Sequence, residues 1–259
     1  MVPIDDPADP RVDAYRSLRA RESGLMMWAE GPTVLERLLA SPHRVHSVLL
    51  STAAHERLGP LVSSLDAPVY VAAQSVVNAV VGFDLHRGTI AVADRPSLAP
   101  IADVLANARR VLVLEGLNDA ENLGAIARSA RGLGVDALVL DPTCADPWYR
   151  RTVRVSMGEV LHLPIARTPM AEGLHALATA GFSIWALTPR RDADDIAAVA
   201  REGVPERLAL VLGAEGPGLS DLVLAHHRNV RIPLRAEVDS LNVGHAAAAA
   251  LAVVQSSSS

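Results

Sequence analysis

The sequence predicts an α/β protein whose C-terminal part is built on a parallel sheet, preceded by a small α/β domain. Three observations point there. Short apolar runs such as VLVL (Val111–Leu114), ALVL and LALVLG recur, each followed by a segment with apolar residues at helical spacing. These runs are apolar at every position, as strands covered on both faces are, instead of alternating. Half of the 259 residues are hydrophobic but only 3% are aromatic, so Ala, Val and Leu must fill a core that a chain of this length can bury.

The elements follow in order. In the first segment the spacing predicts helices over Arg11–Ser23, Thr33–Leu39, Ala54–Ser64 and Gln74–Val80, with strands at Val45–Leu50, Val69–Ala72 and Gly88–Ala93. The prolines of ADRPSLAPIAD (Ala93–Asp103) suit a linker. They divide the chain into a domain over residues 1–95, a linker over 96–103 and a second domain over 104–259. In the second domain VLVLEGL leads into a helix ending at Arg131, and ALVLD into a helix around Val153–Gly158. LHLPIA precedes a helix over Met170–Ala180, and FSIWALTP a short helix near Asp194–Ala200. LALVLG and VRIPL come before an Ala-rich helix over His245–Val254. The SSSS tail is expected to fray.

Composition bounds the function. A formal net charge of −5 weighs against a protein that coats nucleic acid nonspecifically, but says nothing of a local basic groove. The sequence has no Lys, so every fixed side-chain cation is Arg. Biased coding accounts for that as well as a need for planar, two-pronged phosphate contacts does. The single Cys144 cannot form an internal disulfide, and the acidic, Pro-rich start MVPIDDPADPRVD is unlike a signal peptide. No uninterrupted apolar run reaches the ~20 residues of a membrane helix. A soluble, cytoplasmic protein with no membrane attachment is expected. No Cys or carboxylate completes a ligand spacing around the nine His, so no metal is expected.

Three clusters carry chemistry. In EGLNDAENLGAIARSARGLG (Glu115–Gly134) a loop after a strand opens an amphipathic helix, the setting of a phosphate-binding turn, yet no nucleotide-binding glycine fingerprint is present. Leu123, Ile126, Ala127, Ala130 and Leu133 share the sheet-facing stripe, and Arg128 and Arg131 project from a neighbouring face. Asn122 sits in the turn, and an Asn-capped helix with solvated arginines is the plain alternative. In LALVLGAEGPGLS (Leu208–Ser220) a buried strand enters a Gly-rich loop with one acid, Glu215. That is either an ordinary turn or a ligand site at the carboxyl end of a strand. In VRIPLRAEVDSLNVGHAAAAALA, Ser240, Leu241 and Asn242 lie just before a helix that Ser or Asn would cap.

Taken together, N-x-G-A-I-x-R, L-G-x-E-G-x-G-L-S and I-P followed by S-L-N-V, in this order over residues 108–255, resemble the SpoU (TrmH-like) family of the SPOUT superfamily. These are S-adenosylmethionine-dependent RNA ribose 2′-O-methyltransferases. The resemblance implies that Gly213, Ile232 and Leu241 contact the donor, with Leu187 and Thr188 at its border. It gives Arg128 the central catalytic role, with Asn122, Glu215, Ser240 and Asn242 arranging the site. It also implies a deep trefoil knot in the parallel-sheet SPOUT domain, a homodimer, and a preceding α/β RNA-binding domain. AEGPTVLERLLAS and LHRGTIAVAD carry that last likeness more weakly.

Methyl transfer from a sulfonium to a hydroxyl needs alignment and help with the hydroxyl proton, but no metal. A guanidinium, with a pKa above ~12, suits gripping a phosphate and hydroxyl and favouring developing alkoxide charge. The run DPWYRRTVRVSMGE offers Trp148, Tyr149, Arg150, Arg151 and Arg154 as RNA contacts, arginines for phosphates and aromatics for unpaired bases. A surface loop with incidental aromatics is the alternative. Arg16, Arg19, Arg21 and Arg87 are further candidates, with solvated helix arginines as the competing account. The separate first domain makes ribosomal RNA the expected substrate, and transfer RNA belongs to the same class. An RNA-binding module without turnover is the reading from another class, and the intact motifs argue against it.

Overall fold

A computed structural model of the chain describes residues 1–16, 18 and 24–257. Arg19, Arg21 and the rest of residues 19–23, at the end of the helix expected at Arg11–Ser23, lie outside the described residues. The described start of that helix is a 3-10 turn, Pro10–Tyr15, capped by Asp9. The chain forms two compact units, Met1–Pro96 with Pro147–Leu161 and Ser97–Asp146 with His162–Ser259.

The first unit contains β1 (Val2–Ile4), β2 (Met26–Glu30), α1 (Pro32–Leu39), β3 (Val45–Ser51), α2 (Thr52–Val62), β4 (Val69–Ala72), α3 (Gln74–Val81) and β5 (Thr89–Asp94). Its sheet runs β1-β4-β3-β5-β2. β4 is parallel to both its neighbours, and β5 is antiparallel to β3 and β2. The sequence reading places no strand at β1 or β2. Trp28, Leu49, Ile90 and Val92 of the sheet meet Val77 and Val80 of α3 in one core. The phenol of buried Tyr15 is matched by the Ser47 hydroxyl at 2.6 Å, and burial pushes its pKa up.

The rest of the chain adds α4 (Ile101–Ala106), β6 (Arg110–Glu115), α5 (Ala120–Gly132), β7 (Ala137–Leu140), α6 (Arg150–Val155), β8 (Ile165–Arg167) and α7 (Met170–Thr179). It ends with β9 (Ser183–Leu187), β10 (Asp194–Asp195), α8 (Ile196–Glu202), β11 (Leu208–Gly213), α9 (Asp221–Leu224), β12 (Arg228–Arg231) and α10 (Val243–Ser256). Seven of these strands form the second unit's sheet in the order β10-β12-β9-β11-β6-β7-β8, and every pairing is parallel. The expected parallel-sheet α/β architecture is therefore present. Val111, Val113, Ala209 and Val211 cluster with Leu174 and Leu177 of α7. α5 and α10 pack together and bury Leu123, Ile126, Ala247 and Leu251.

Two departures from the expected organisation have physical causes. α4 begins inside the stretch read as a linker, because Pro100 stands just before its first turn, where a missing N–H costs nothing. The second departure is α6, which belongs to the first unit although it follows residues of the second. It packs on β2, its Arg150 donates to Glu30, and Arg37 reaches Glu159 at 2.9 Å. Trp148, just ahead of it, is only 5% exposed, edge-on to His43.

Candidate functional site

The site lies in the second unit, where β12, β9, β11 and β6 stand side by side and all point the same way. Their carboxyl ends are in register: Leu187 pairs with Leu212 and with Val230, and Gly213 pairs with Glu115. Open parallel sheets bind ligands at this end, because the helices and connecting loops leave a crevice there. A cavity of about 470 Å³ occupies it. Leu187, Leu212, Ile232, Leu234 and Leu241 make its walls largely apolar, while Thr188, Glu215, Asp239, Ser240 and Asn242 supply polar groups. All five residues expected at the donor line this one cavity: Gly213, Ile232, Leu241, Leu187 and Thr188.

Gly213 ends β11 and starts a turn that folds back on itself, with Gly218 donating to the Ala214 carbonyl at 3.1 Å. A Cβ at Gly213 would lie 2.6 Å from the Leu219 nitrogen and closer still to the Gly218 carbonyl. The glycine is required by its own turn. Gly218, at φ +70, completes that turn.

Asn122, Glu215 and Asn242 come from three distant segments and form one network. Asn242 Nδ2 donates to Glu215 Oε1 at 2.7 Å and to Asn122 Oδ1 at 2.9 Å. Asn242 Oδ1 accepts from the backbone of Gly244 at 2.9 Å and His245 at 3.3 Å, so the same side chain caps α10. Cap and site residue are thus one and the same. Two acceptors face the nitrogen and two donors face the oxygen, which fixes the amide orientation. Glu215 Oε1 also accepts from the Val243 backbone at 3.4 Å. The cap of α5 is Asp119, not Asn122: it accepts from the Asn122 backbone at 2.8 Å and leaves the Asn122 side chain for the network.

Arg128 is exposed on α5 and does not line the cavity. It stands six residues beyond Asn122, about 9 Å along the helix at ~1.5 Å per residue. Ser240 is exposed and lines the cavity.

The remaining sequence candidates separate. Trp148 is buried, so its ring is not a free stacking surface, and Arg150 is held by Glu30 with its guanidinium 4.7 Å from the Phe83 ring centre. Tyr149 is half-buried, whereas Arg151 and Arg154 are exposed. In the first unit Arg154 and Arg87 line a cleft of about 300 Å³ together with Glu30 and Thr33.

Sequence reasoning missed Glu115 and Asp141. Glu115 Oε2 accepts from the Ser220 backbone at 2.9 Å. Asp141, almost fully buried at the end of β7, accepts from Thr143, Cys144 and the backbone of Gly116. Burial opposes its charge, but hydrogen bonds from Thr143, Gly116 and Cys144 outweigh that and hold its pKa below the usual carboxylate value. The D-P-T sequence after β7 is a turn signal that could have pointed to Asp141; nothing in the sequence singles out Glu115.

The model of the SpoU rRNA Methylase family matches residues 109–252. An uncharacterized tRNA/rRNA methyltransferase of Mycobacterium tuberculosis is 43% identical over 260 residues, covering 95% of this chain and 89% of its own. The 23S rRNA (guanosine(2553)-2′-O)-methyltransferase of Bacillus subtilis is 28% identical over 224 residues, 85% of this chain and 84% of its own. Among solved structures, an AdoMet-bound rRNA methyltransferase from Sinorhizobium meliloti is alike in fold, with a TM-score of 0.82 at 22% identity over 98% of this chain and 97% of that one.

Proposed function

Since the chain belongs to the SpoU rRNA methylase family, we infer that it transfers a methyl group from S-adenosylmethionine to a ribose 2′-hydroxyl of RNA, with ribosomal RNA as the substrate. The observation that carries this reading is the meeting of Asn122, Glu215 and Asn242 beside an apolar cavity at the strand ends. The cavity suits the donor. Its volume lies within the ~300–1,000 Å³ usual for small-molecule sites, and its apolar walls suit a purine ring. Glu215 and Asp239 in its lining suit a cation. The donor supplies an electrophilic methyl on a positively charged sulfur.

The chain's own residues divide the remaining work. Leu187, Ile232 and Leu241 exclude water from the cavity, and the turn after Gly213 presents backbone groups to it. Glu215 accepts two hydrogen bonds from the start of α10 and so braces the donor turn. Arg128, exposed and outside the cavity, is assigned to the RNA side. There it grips phosphate and favours negative charge on the attacking oxygen. Ser240 lines the cavity and offers a hydroxyl at its rim.

The first unit is assigned to RNA binding, and its cleft bearing Arg87 and Arg154 supports that. A homodimer is supported by Leu222 and Val238, which are large apolar residues left exposed outside the cavity. α10 itself buries Ala247, Ala250 and Val254 within its own fold. The family resemblance supports the trefoil knot, and an RNA substrate supports a cytoplasmic location. Mapping 2′-O-methyl positions in ribosomal and transfer RNA from cells with and without the gene tests the reading. Loss of a position in ribosomal RNA is expected. Loss confined to transfer RNA would reassign the substrate, and unchanged maps would overturn the activity.

A further inference from the structure

We propose that Glu115 is a positioning residue for the donor turn: it fastens the far end of the 214–220 segment to the sheet and so sets donor affinity without touching the donor. This rests on the cavity being the donor site. The near end of the segment is fixed covalently, at Gly213 on β11, and its middle is held by Glu215 to Asn242. Its far end is Ser220, which precedes α9 and makes no side-chain cap of its own. The Ser220 N–H is instead taken by Glu115 Oε2 at 2.9 Å, across 105 residues of sequence.

The arrangement is built to be rigid. Glu115 ends β6 directly beside Gly213 in the ladder, so one strand end carries the start of the turn and its neighbour carries the tie to its finish. The residue after Glu115 is clamped in turn, because the Gly116 N–H is held by buried Asp141. Gly116 also lies against the turn: a Cβ there would be 3.4 Å from the Ala214 Cβ. Glu115 is half-buried and is absent from the cavity lining, which separates a positioning role from direct attraction of a cationic donor.

The test uses the full chain and the demethylated donor, S-adenosylhomocysteine, as the binding probe in calorimetry. Losing a hydrogen bond to a charged group typically costs about tenfold or more in an equilibrium. Glu115→Ala is expected to raise the Kd about tenfold and to lower the donor-free melting temperature only modestly, while kcat at saturating donor stays near wild type. Glu115→Gln keeps an oxygen acceptor for the Ser220 N–H and is expected to retain most of the affinity. Ser220→Pro removes the same N–H from the other side at a backbone φ of −66, which proline adopts. It should weaken binding similarly, and the Glu115→Ala/Ser220→Pro pair should cost no more than either alone. Additive losses, Glu115→Gln as weak as Glu115→Ala, or a fall in melting temperature and kcat without a change in Kd would overturn the proposal. Failure of the wild-type protein to bind the probe would overturn the donor reading, and the proposal with it.

Discussion

The side-chain nitrogen of Asn242 lies 2.7 Å from the Glu215 carboxylate, while the oxygen of the same amide caps α10. Substitution can separate the two jobs. Asp caps a helix as well as Asn does, but Asn242→Asp sets a second carboxylate against Glu215 and removes both donated hydrogen bonds. Glu215 is exposed and free to swing away, carrying the donor turn with it. We expect Asn242→Asp to lose at least about tenfold in methyl transfer while melting closer to wild type than Asn242→Ala. The alanine variant also loses a cap of about 1 kcal/mol. Thermal melting beside single-turnover methylation makes the comparison, and an Asp variant with wild-type turnover would remove the network from the mechanism.

Arg128 should separate chemistry from donor binding. It is exposed and outside the cavity, so Arg128→Ala should leave donor Kd and melting temperature unchanged. Losing an interaction aimed at charge that develops during reaction typically costs on the order of a hundredfold to a thousandfold in turnover. Arg128→Lys should recover only part of it, because an ammonium lacks the planar two-pronged geometry. Wild-type turnover in Arg128→Ala would return Arg128 to the role of a solvated helix residue.

Asp141 ties acid stability to the turn under the site. Its folded-state pKa is lowered, so its stabilisation is present above the unfolded value of about 3.9 and is lost as pH falls through the folded one. Asp141→Asn places an NH2 against one of the backbone N–H groups that the carboxylate now receives. We expect it to lower the melting temperature at pH 7, with the gap to wild type narrowing in strong acid. Melting curves from pH 7 down to about pH 2 would show this, and a gap that stays constant would mean the carboxylate charge is not what holds the turn.

The strands of the second unit were legible because a strand buried on both faces leaves an unbroken apolar run; LALVLG became β11 with the same ends. Much of the cavity lining was legible through the second and third motifs, and Leu187 and Thr188 through the resemblance at the end of FSIWALTP. Two kinds of feature were not. A tie such as Glu115 to Ser220 spans 105 positions and leaves no periodicity behind. The placement of α6 was hidden for another reason: Trp148 beside several arginines reads as a nucleic-acid surface, yet Trp148 serves as packing and Arg150 as a partner for Glu30.

That placement has a consequence for truncation. Removing residues 1–95 strips the segment 147–161 of the unit it belongs to and uncovers Trp148 and Val153, both buried in the full chain. The 96–259 fragment, which keeps α4 whole, should bind a hydrophobic dye and aggregate on warming, unlike the intact protein. A fragment that stays monodisperse and binds no dye would show that α6 finds shelter without the first unit.

The position of the methyl group tests the central claim most directly. The purified protein is given labelled S-adenosylmethionine and unmodified ribosomal RNA, and the product is hydrolysed in alkali. A methyl on the 2′-oxygen removes the hydroxyl that attacks the neighbouring phosphate, so the label should appear in an alkali-resistant dinucleotide. Label recovered in ordinary mononucleotides would place the methyl on a base, and no transfer at all would contradict the assignment of Asn122, Glu215 and Asn242 to catalysis.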